Sequence, residues 1–179
     1  GTGGNISFLV SIGDAPLKNW RLSGLDSLPT VTNLDGSNMD KYKVSSYGCY
    51  ACPVSCGAII SQKEGPFAIK DQMHRPEYQS LAALGGMLMN DNLEAVIKAN
   101  DICNRYGIDT VGVGGTIAMA MECYEHGLIS KEDTDGIELS WGNAEAIVAL
   151  VEKVAKSGGF GAVLVEGGQL IRERKVGSV

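Results

Sequence analysis

Residues 47–57 read YGCYACPVSCG and contain three of the chain's five cysteines. Cys49, Cys52 and Cys56 follow the spacing C-x2-C-x3-C, and glycine and proline around them allow a short loop that turns its sulfurs inward. Thiolates are soft ligands that suit iron–sulfur clusters and zinc, which usually take four protein ligands. The spacing therefore favours an iron–sulfur cluster. Zinc, or a set of unrelated buried or disulfide-bonded cysteines, is the alternative.

The composition is that of a globular protein. The chain has 179 residues, 44% of them hydrophobic, which is enough for a substantial core. Its net charge of −6 argues against nucleic acid as a partner. Neither a transmembrane-length apolar run nor a secretory signal is evident, so we expect no membrane partner and a cytoplasmic location. An odd cysteine count is consistent with a reducing compartment. The chain begins Gly1-Thr2-Gly3 without methionine, and we expect it to be a piece of a longer protein.

Helical periodicity dominates from Pro76 onward, because apolar residues recur at spacings of three and four. Five segments are predicted, each with a capping signal or an amphipathic pattern. They are a helix from Pro76 to about Leu88, one capped by Asn90 or Asp91 and ended by Gly107, one capped by Asp109 and ended by Gly127, one from Asn143 to residues 157–159, and an amphipathic segment over residues 161–175. Gly112, Gly114 and Gly115 are expected to let helices pack closely.

The first part of the chain is rich in turn residues and gives weaker signals. Residues 39–44 are interpreted as a helical turn, residues 58–61 as a short strand and residues 67–69 as a return strand. The predicted fold class is all-α, a multihelical array with a small extended arm around the cysteine loop. Residues 1–75 are predicted to be a loop-rich segment and residues 76–179 a helical region, which together form one domain.

Three patterns occur in series along the chain. They are GCYACPVSCG at residues 48–57, RPEYQSLAALG at residues 75–85 and ANDICNRYGIDT at residues 99–110. Together they resemble the tungsten-containing aldehyde ferredoxin oxidoreductase family. The similarity extends from residues 13–20 to residues 161–167 and so covers most of the chain.

The resemblance implies that this region is the helical middle part of a larger subunit. In that family it lies between an N-terminal β-rich domain, which cradles a tungsten bis-pyranopterin, and a C-terminal helical domain. The partners implied are ferredoxin, an aldehyde substrate and the missing N- and C-terminal domains of the same chain. The metal implied is tungsten or molybdenum, and the isolated piece is expected to be inactive.

The resemblance also implies metal ligands. Cys49, Cys52 and Cys56 match three of the four ligands of a [4Fe-4S] cluster, and the family's fourth cysteine lies beyond this chain. Cys103 and Cys123 fall on the apolar faces of predicted helices, so we expect them to pack in the core.

Residues 104–109 resemble the family's pterin-binding pattern D-x-x-G-L-D, with Asn104 in place of the first aspartate and Ile108 in place of leucine. The resemblance implies that Asn104, Gly107, Ile108 and Asp109 contact the cofactor. A helix end followed by a new helix start exposes amides and a carboxylate that can bind a planar pterin edge. On the local pattern alone, Gly107 and Asp109 are a helix C-cap and an N-cap.

Glu77 matches a family pattern P-E-Y-E that places a carboxylate near the metal, where it can act as a general base. Gln79 stands in place of the second carboxylate of that pattern and has no basic group at neutral pH. The alternative for Glu77 is a first-turn helix residue favoured by the helix dipole.

The function implied is part of an aldehyde:ferredoxin oxidoreductase that oxidises aldehydes to carboxylic acids, with electrons passing through the cluster to ferredoxin. Lys41, Lys43 and Lys63 are candidates for a basic docking patch beside the cysteines. The alternative is a structural zinc-binding or protein-interaction module, in which His74 completes a Cys3His site.

Overall fold

The computed structural model describes residues 6–166. Most of its regular structure is helical, in seven α-helices and four short 3₁₀ turns within that range. The α-helices are α1 (Ile6–Ser11), α2 (Gly36–Met39), α3 (Tyr78–Leu84), α4 (Leu93–Tyr106), α5 (Thr110–Glu125), α6 (Ala144–Ala155) and α7 (Phe160–Val165). The 3₁₀ turns are Leu25–Ser27, Pro29–Leu34, Asp40–Tyr42 and Gly86–Leu88.

A three-stranded antiparallel sheet corrects the predicted all-α class. Its strands are β1 (Lys43–Tyr47), β2 (Gly57–Ile60) and β3 (Met73–His74), in the order β1-β2-β3. The multihelical array is confirmed, whereas the all-α description is wrong. Every side chain of β1 is exposed, so backbone pairing with β2 defines this strand and no alternating apolar pattern could reveal it.

The extended arm also differs in detail from the prediction. The helical turn predicted at residues 39–44 ends at Tyr42, where β1 takes over. The return strand predicted at residues 67–69 is a loop instead. Gln62 holds this loop, since its side-chain amide nitrogen donates to the Phe67 carbonyl at 2.9 Å and its backbone carbonyl accepts from the Ile69 amide at 2.8 Å.

Side-chain caps begin the long helices. Asp109 caps α5 and Asn143 caps α6, as predicted. The cap of α4 is Asn92, and the prediction of Asn90 or Asp91 is wrong. Asn90 is fully buried and used differently: its side chain donates to the Leu84 carbonyl at 3.0 Å and accepts from the Asn92 amide at 3.1 Å.

Helix α5 crosses α3 at a glycine. A Cβ atom built on Gly114 would lie 2.6 Å from the Ala83 carbonyl oxygen and 2.8 Å from the Ala83 Cβ, whereas one built on Gly115 would meet nothing within 4 Å. The prediction that these glycines permit close helix packing is confirmed for Gly114.

One hydrophobic core joins the N-terminal segment, the sheet and the helices. Its fully buried members come from all three parts and include Ile6, Leu34, Ile60, Leu84, Ile97, Ile117 and Ile147. Helices α4 and α6 pack side by side, and α6 also packs on α7.

The amphipathic segment predicted over residues 161–175 is represented by α7 up to Val165, and its part from residue 167 onward lies outside the described residues. The carboxylate of Asp135 fastens α7, because it accepts from the Phe160 amide at 2.7 Å and from the Lys153 ammonium at 2.8 Å. Within residues 6–166, no helix has the length and apolar character needed to cross a membrane.

Candidate functional site

The cysteine loop, residues 48–56, connects β1 to β2 at one end of the sheet. Tyr47 and Gly57 face each other in the strand register at its base. Cys49 and Cys52 are exposed, Cys56 is half-buried, and all three are free thiols. The hairpin therefore projects its thiols away from the hydrophobic core.

The loop has a tight backbone. The Cys52 amide donates to the Cys49 carbonyl at 3.0 Å, and Ala51 and Ser55 both have left-handed conformations with φ of 56° and 45°. A Cβ on Gly48 would lie 2.5 Å from the Ser55 hydroxyl oxygen, so only glycine allows this close approach. The chain thus bends sharply on both sides of Cys52.

The donor set fits part of an iron–sulfur centre. Three free thiols in one short loop supply soft ligands of the kind such clusters take. Nowhere in residues 6–166 are three or more cysteine, histidine or carboxylate side chains gathered closely enough to hold a metal ion, so binding requires the thiols to turn toward a common point. The exposure of Cys49 and Cys52 leaves room for that rotation.

The two remaining cysteines belong to the core, as predicted. Cys103 is fully buried, and burial raises the pKa of its thiol to about 11, which keeps it protonated. Cys123 is half-buried against the core, and burial, followed by the charge of Glu122, raises the pKa of its thiol.

Tyr47 and His74 hold the base of the cysteine loop. The Tyr47 hydroxyl oxygen lies 2.8 Å from Nδ1 of His74, and the two rings meet edge to face with centroids 5.2 Å apart. The Tyr47 ring lies directly on Gly57, where a Cβ would be 2.5 Å from the ring's Cζ atom. His74 therefore contacts Tyr47, and this pairing does not support its predicted alternative role as a fourth zinc ligand.

Arg75 ties the outgoing end of the loop to β3. Its guanidinium donates to the carbonyl of Cys56, and its backbone amide donates to the Ala58 carbonyl at 2.9 Å. The Arg75 side chain is only 12% exposed, so this contact is well fixed. It sets the peptide of Cys56 while leaving the thiol free.

Glu77 lies close to this assembly. It occupies the N-cap position of α3, but its side chain does not cap the helix. Burial raises the pKa of Tyr47, and the charges of Cys49, Glu77 and Cys56 raise it further. The Glu77 carboxylate is therefore within electrostatic range of the Tyr47 hydroxyl, as are the thiols of Cys49 and Cys56.

Asn104 lies on the last turn of α4 and lines a cavity of about 540 Å³. The other residues that line this cavity are Gln72, Met73, His74, Asp101 and Arg105. The buried carboxylate of Asp101 accepts from Nε of Arg105 at 2.9 Å through both oxygens. His74 thus lines this cavity and also contacts Tyr47 at the base of the cysteine loop.

The other residues of the predicted pterin motif face elsewhere. Gly107 is the left-handed C-cap of α4 with φ of 69°, as its local pattern predicts. Ile108 and Asp109 line a second cavity, of about 450 Å³, between α5, α6 and α7. Both oxygens of Asp109 accept from amides of its own helix, Val111 at 3.3 Å and Gly112 at 2.7 Å. The four motif residues therefore do not share one cavity.

The prediction of a basic docking patch beside the cysteines is wrong. Lys43 pairs with Ile60 at the end of the β1–β2 hairpin opposite the cysteine loop. Lys41 and Lys63 lie at that same end, in a cavity that also includes Glu94.

The roles of Tyr47 and Arg75 were not predicted from the sequence. A signal existed for Tyr47, since an aromatic residue facing a glycine across a hairpin is a known stabilising pair. Recognising it required the register that brings Tyr47 opposite Gly57. Arg75 had no local signal, because its partner is a backbone carbonyl distant in sequence.

Comparison with known proteins identifies the family. The family model described as aldehyde ferredoxin oxidoreductase, domains 2 and 3, matches residues 1–177. The chain belongs to the aldehyde ferredoxin oxidoreductase family. The resemblance found in the three sequence patterns is thereby confirmed.

The similar curated proteins include oxidoreductases of Pyrococcus species. A tungsten-containing aldehyde ferredoxin oxidoreductase of Pyrococcus furiosus is 37% identical over 97% of this chain and 28% of its own length. One from Pyrococcus abyssi is 40% identical over 75% of this chain and 22% of its own length. The aliphatic sulfonate oxidoreductase, WOR-like subunit, of Pyrococcus furiosus is 30% identical over 85% of this chain and 24% of its own length. The chain spans about a quarter of the length of these relatives.

A solved structure shares the fold. It is the active site complex BamBC of benzoyl coenzyme A reductase in complex with 1,5-dienoyl-CoA, with a TM-score of 0.75 over 96% of this chain and 25% of that chain. The sequence identity is 22%, so the likeness concerns the fold alone.

Proposed function

We propose that this chain is the cluster-binding and pterin-contacting part of an enzyme that oxidises aldehydes to carboxylic acids and passes the electrons to ferredoxin. The observation that carries the proposal is the gathering of the cysteine loop, Glu77 and the Asn104 cavity around the Tyr47–His74 pair. Family membership supports the proposed chemistry, and the names of the Pyrococcus relatives support tungsten as the metal and an aldehyde as the substrate.

Cys49, Cys52 and Cys56 are proposed as three ligands of a [4Fe-4S] cluster, which carries single electrons when bound. The hairpin holds them outside the core, and Arg75 fixes the peptide of Cys56. The fourth ligand comes from outside these residues, since Cys103 and Cys123 are packed in the core.

A bound tungsten or molybdenum bis-pyranopterin supplies the two-electron oxidation. Asn104 is the motif residue best placed to meet it, because its side chain is exposed and lines a cavity beside His74. Gly107 provides the left-handed turn that ends α4, three residues after Asn104. Ile108 and Asp109 are proposed to support the cofactor from the start of α5, where the Asp109 side chain caps the helix.

Glu77 is proposed as the catalytic base. The net reaction adds water to an aldehyde and releases a carboxylic acid, two protons and two electrons. The Glu77 carboxylate accepts a proton from the attacking water. Its exposure at the start of α3 leaves it accessible, and its proximity to Tyr47 puts it on the cluster side of the molecule.

The remaining proposed partners are the other domains of the same polypeptide. This chain corresponds to about a quarter of them, so the rest of the same polypeptide is proposed to complete the cofactor site. Residues 1–75 and 76–179 are proposed to form one domain, a proposal supported by the main hydrophobic core, which joins their described parts.

The test is aldehyde-dependent reduction of ferredoxin by the full-length enzyme under anaerobic conditions, with the carboxylic acid quantified as product. We expect Glu77→Gln to lower the rate by about 10²–10⁴-fold while iron content stays constant. Glu145→Gln, at an exposed position in the first turn of α6, is the matched control and should keep the wild-type rate. Full activity in the Glu77→Gln enzyme would remove Glu77 from the mechanism, and absence of acid product from wild type would overturn the function.

A further inference from the structure

The three thiols of the cysteine loop are held to different degrees. Cys49 and Cys52 are exposed, whereas Cys56 is half-buried. The Cys52 amide donates to the Cys49 carbonyl, so these two residues share one turn within the loop. Cys56 follows Ser55, whose left-handed φ of 45° turns the chain toward β2, and β2 begins at the next residue, Gly57. Cys56 therefore lies at the junction of the loop and the sheet.

The backbone of Arg75 is fixed beside that junction. Arg75 directly follows β3, in which His74 pairs with Ile59 of β2. The Arg75 amide donates to the carbonyl of Ala58 at 2.9 Å and so continues the contact between the two strands by one residue. Ala58 is buried, so the backbone of Arg75 is attached to a buried part of the sheet. The sheet thus sets the point from which the Arg75 side chain extends.

The guanidinium of Arg75 reaches back to Cys56. Its Nη2 atom donates to the Cys56 carbonyl oxygen, while Nη1 lies 4.0 Å from Oδ1 of Asp40. The side chain of Arg75 is 12% exposed, whereas that of Asp40 is 58% exposed. A charge with so little access to water needs hydrogen-bond partners, and a bond from an ionised donor is stronger than one between neutral groups. The direct bond from Arg75 therefore orients the Cys56 peptide.

We propose that Arg75 is a positioning residue that holds Cys56 in place as the fixed ligand of the bound cluster, toward which Cys49 and Cys52 turn when the cluster binds. The inference rests on the proposed function of the cysteine loop. The orientation of the Cys56 peptide sets the direction of its Cα–Cβ bond and hence the region that its thiol can reach. Hydrogen bonds that orient a ligating residue are part of a metal site, and removing one typically lowers metal affinity about 10–100-fold.

The test is the rate at which the full-length enzyme, prepared anaerobically, loses iron to the chelator bathophenanthroline disulfonate. Arg75→Met keeps a flexible apolar stem but removes every donor, and we expect iron release to become about 10–100-fold faster. Arg75→Lys is the rescue variant, since its ammonium is a charged donor on a long stem. It should restore a release rate close to that of wild type.

Arg75→Gln is a second loss variant. Its shorter side chain keeps a polar end but does not extend to the Cys56 carbonyl, so iron release should accelerate as in Arg75→Met. Arg21→Met is the matched control, because the Arg21 guanidinium binds the carboxylates of Glu122 and Glu125 and not a proposed ligand. It should release iron at the wild-type rate. Circular dichroism and urea unfolding of each variant separate a displaced ligand from a lost fold.

Wild-type release rates in both loss variants would overturn the inference, as would failure of Arg75→Lys to restore the rate. Equal acceleration in Arg21→Met would also overturn it, because the loss of an arginine elsewhere would then have the same effect. Loss of folding in both loss variants would overturn it by assigning Arg75 to the fold alone. A folded loss variant isolated without iron supports the inference when Arg75→Lys contains iron.

Iron and acid-labile sulfide are measured in every preparation before the release experiment. Absence of both from wild type would overturn the proposed function together with this inference. A cluster whose iron release does not depend on Arg75 would overturn the inference alone.

Discussion

The crossing of α3 and α5 gives a sharp prediction about stability. Gly114→Ala adds one methyl group where the Ala83 carbonyl oxygen would be 2.6 Å away, and ordinary contacts begin at 3.4 Å. The two helices must therefore separate by about 0.8 Å, the difference between these distances. Gly115→Ala, one residue further along α5, adds the same methyl group into open space.

The magnitude follows from comparing the two variants. Each gains about 1 kcal/mol of helix propensity when glycine becomes alanine. Only Gly114→Ala also pays the steric cost of overpacking, about 1–3 kcal/mol. The propensity gain cancels in the comparison, so Gly115→Ala should be more stable than Gly114→Ala by about 1–3 kcal/mol.

The assay is urea unfolding of the 179-residue chain followed by circular dichroism, with thermal unfolding as a second measure. For a chain of this size, each kcal/mol corresponds to about 2–4 °C in Tm. Equal stability of the two variants, or greater stability of Gly114→Ala, would refute the packing argument.

Two further predictions concern ionic contacts. Lys18 and Arg21 each approach the Glu125 carboxylate at 2.6 Å, and the bond from Lys18 is the main cause that lowers the pKa of Glu125 to about 2. This ionic contact stabilises the fold above the normal carboxyl pKa, and the stabilisation is lost as pH falls from about 4.5 toward 2. The urea midpoint of wild type should therefore drop more between pH 6 and pH 3 than that of Glu125→Gln. Equal drops in the two proteins would contradict this prediction. Asp135→Ala removes the acceptor of the Phe160 amide at the start of α7 and should lower the free energy of unfolding by about 1–2 kcal/mol. Asp135→Asn should lower it less, because asparagine tolerates the left-handed φ of 57° and its side-chain oxygen can still accept from the Phe160 amide. Equal losses in the two Asp135 variants would show that the amide contact contributes nothing.

The helical half of the fold was predictable because its signals are local. Asp109 and Asn143 cap helices, Gly107 ends one, and the apolar spacing marks the buried faces. The cap of α4 was misplaced because Asn90, Asp91 and Asn92 are all suitable residue types, and tertiary burial of Asn90 decided among them.

The sheet was only partly predictable. Strand β1 is fully exposed, and its pairing with β2 comes from backbone contacts that leave no periodic signature. The two-residue strand β3 is too short for any pattern. Lys41 and Lys63 lie at the end of the β1–β2 hairpin opposite the cysteine loop. Because the pairing of the two strands was not predicted, both lysines were wrongly placed beside the cysteines.

The candidate site, too, was predictable only where the signal is local in sequence. The spacing of Cys49, Cys52 and Cys56 and the resemblance to a family located the loop and Glu77. The separation of Asn104 from Asp109 into two cavities could not be read from one continuous motif, because it depends on how α6 and α7 pack against α5. Contacts across strands, such as Tyr47 with His74, also required the three-dimensional structure.

The most direct test of the cysteine loop as a cluster site is anaerobic analysis of iron and acid-labile sulfide in the full-length enzyme. Wild type and Cys123→Ser, which changes only a core cysteine, should each contain about four irons and four sulfides per chain, as a [4Fe-4S] cluster requires. Cys52→Ser should lose most of both. Stoichiometric zinc without sulfide in wild type, or an unchanged iron content in Cys52→Ser, would contradict the assignment.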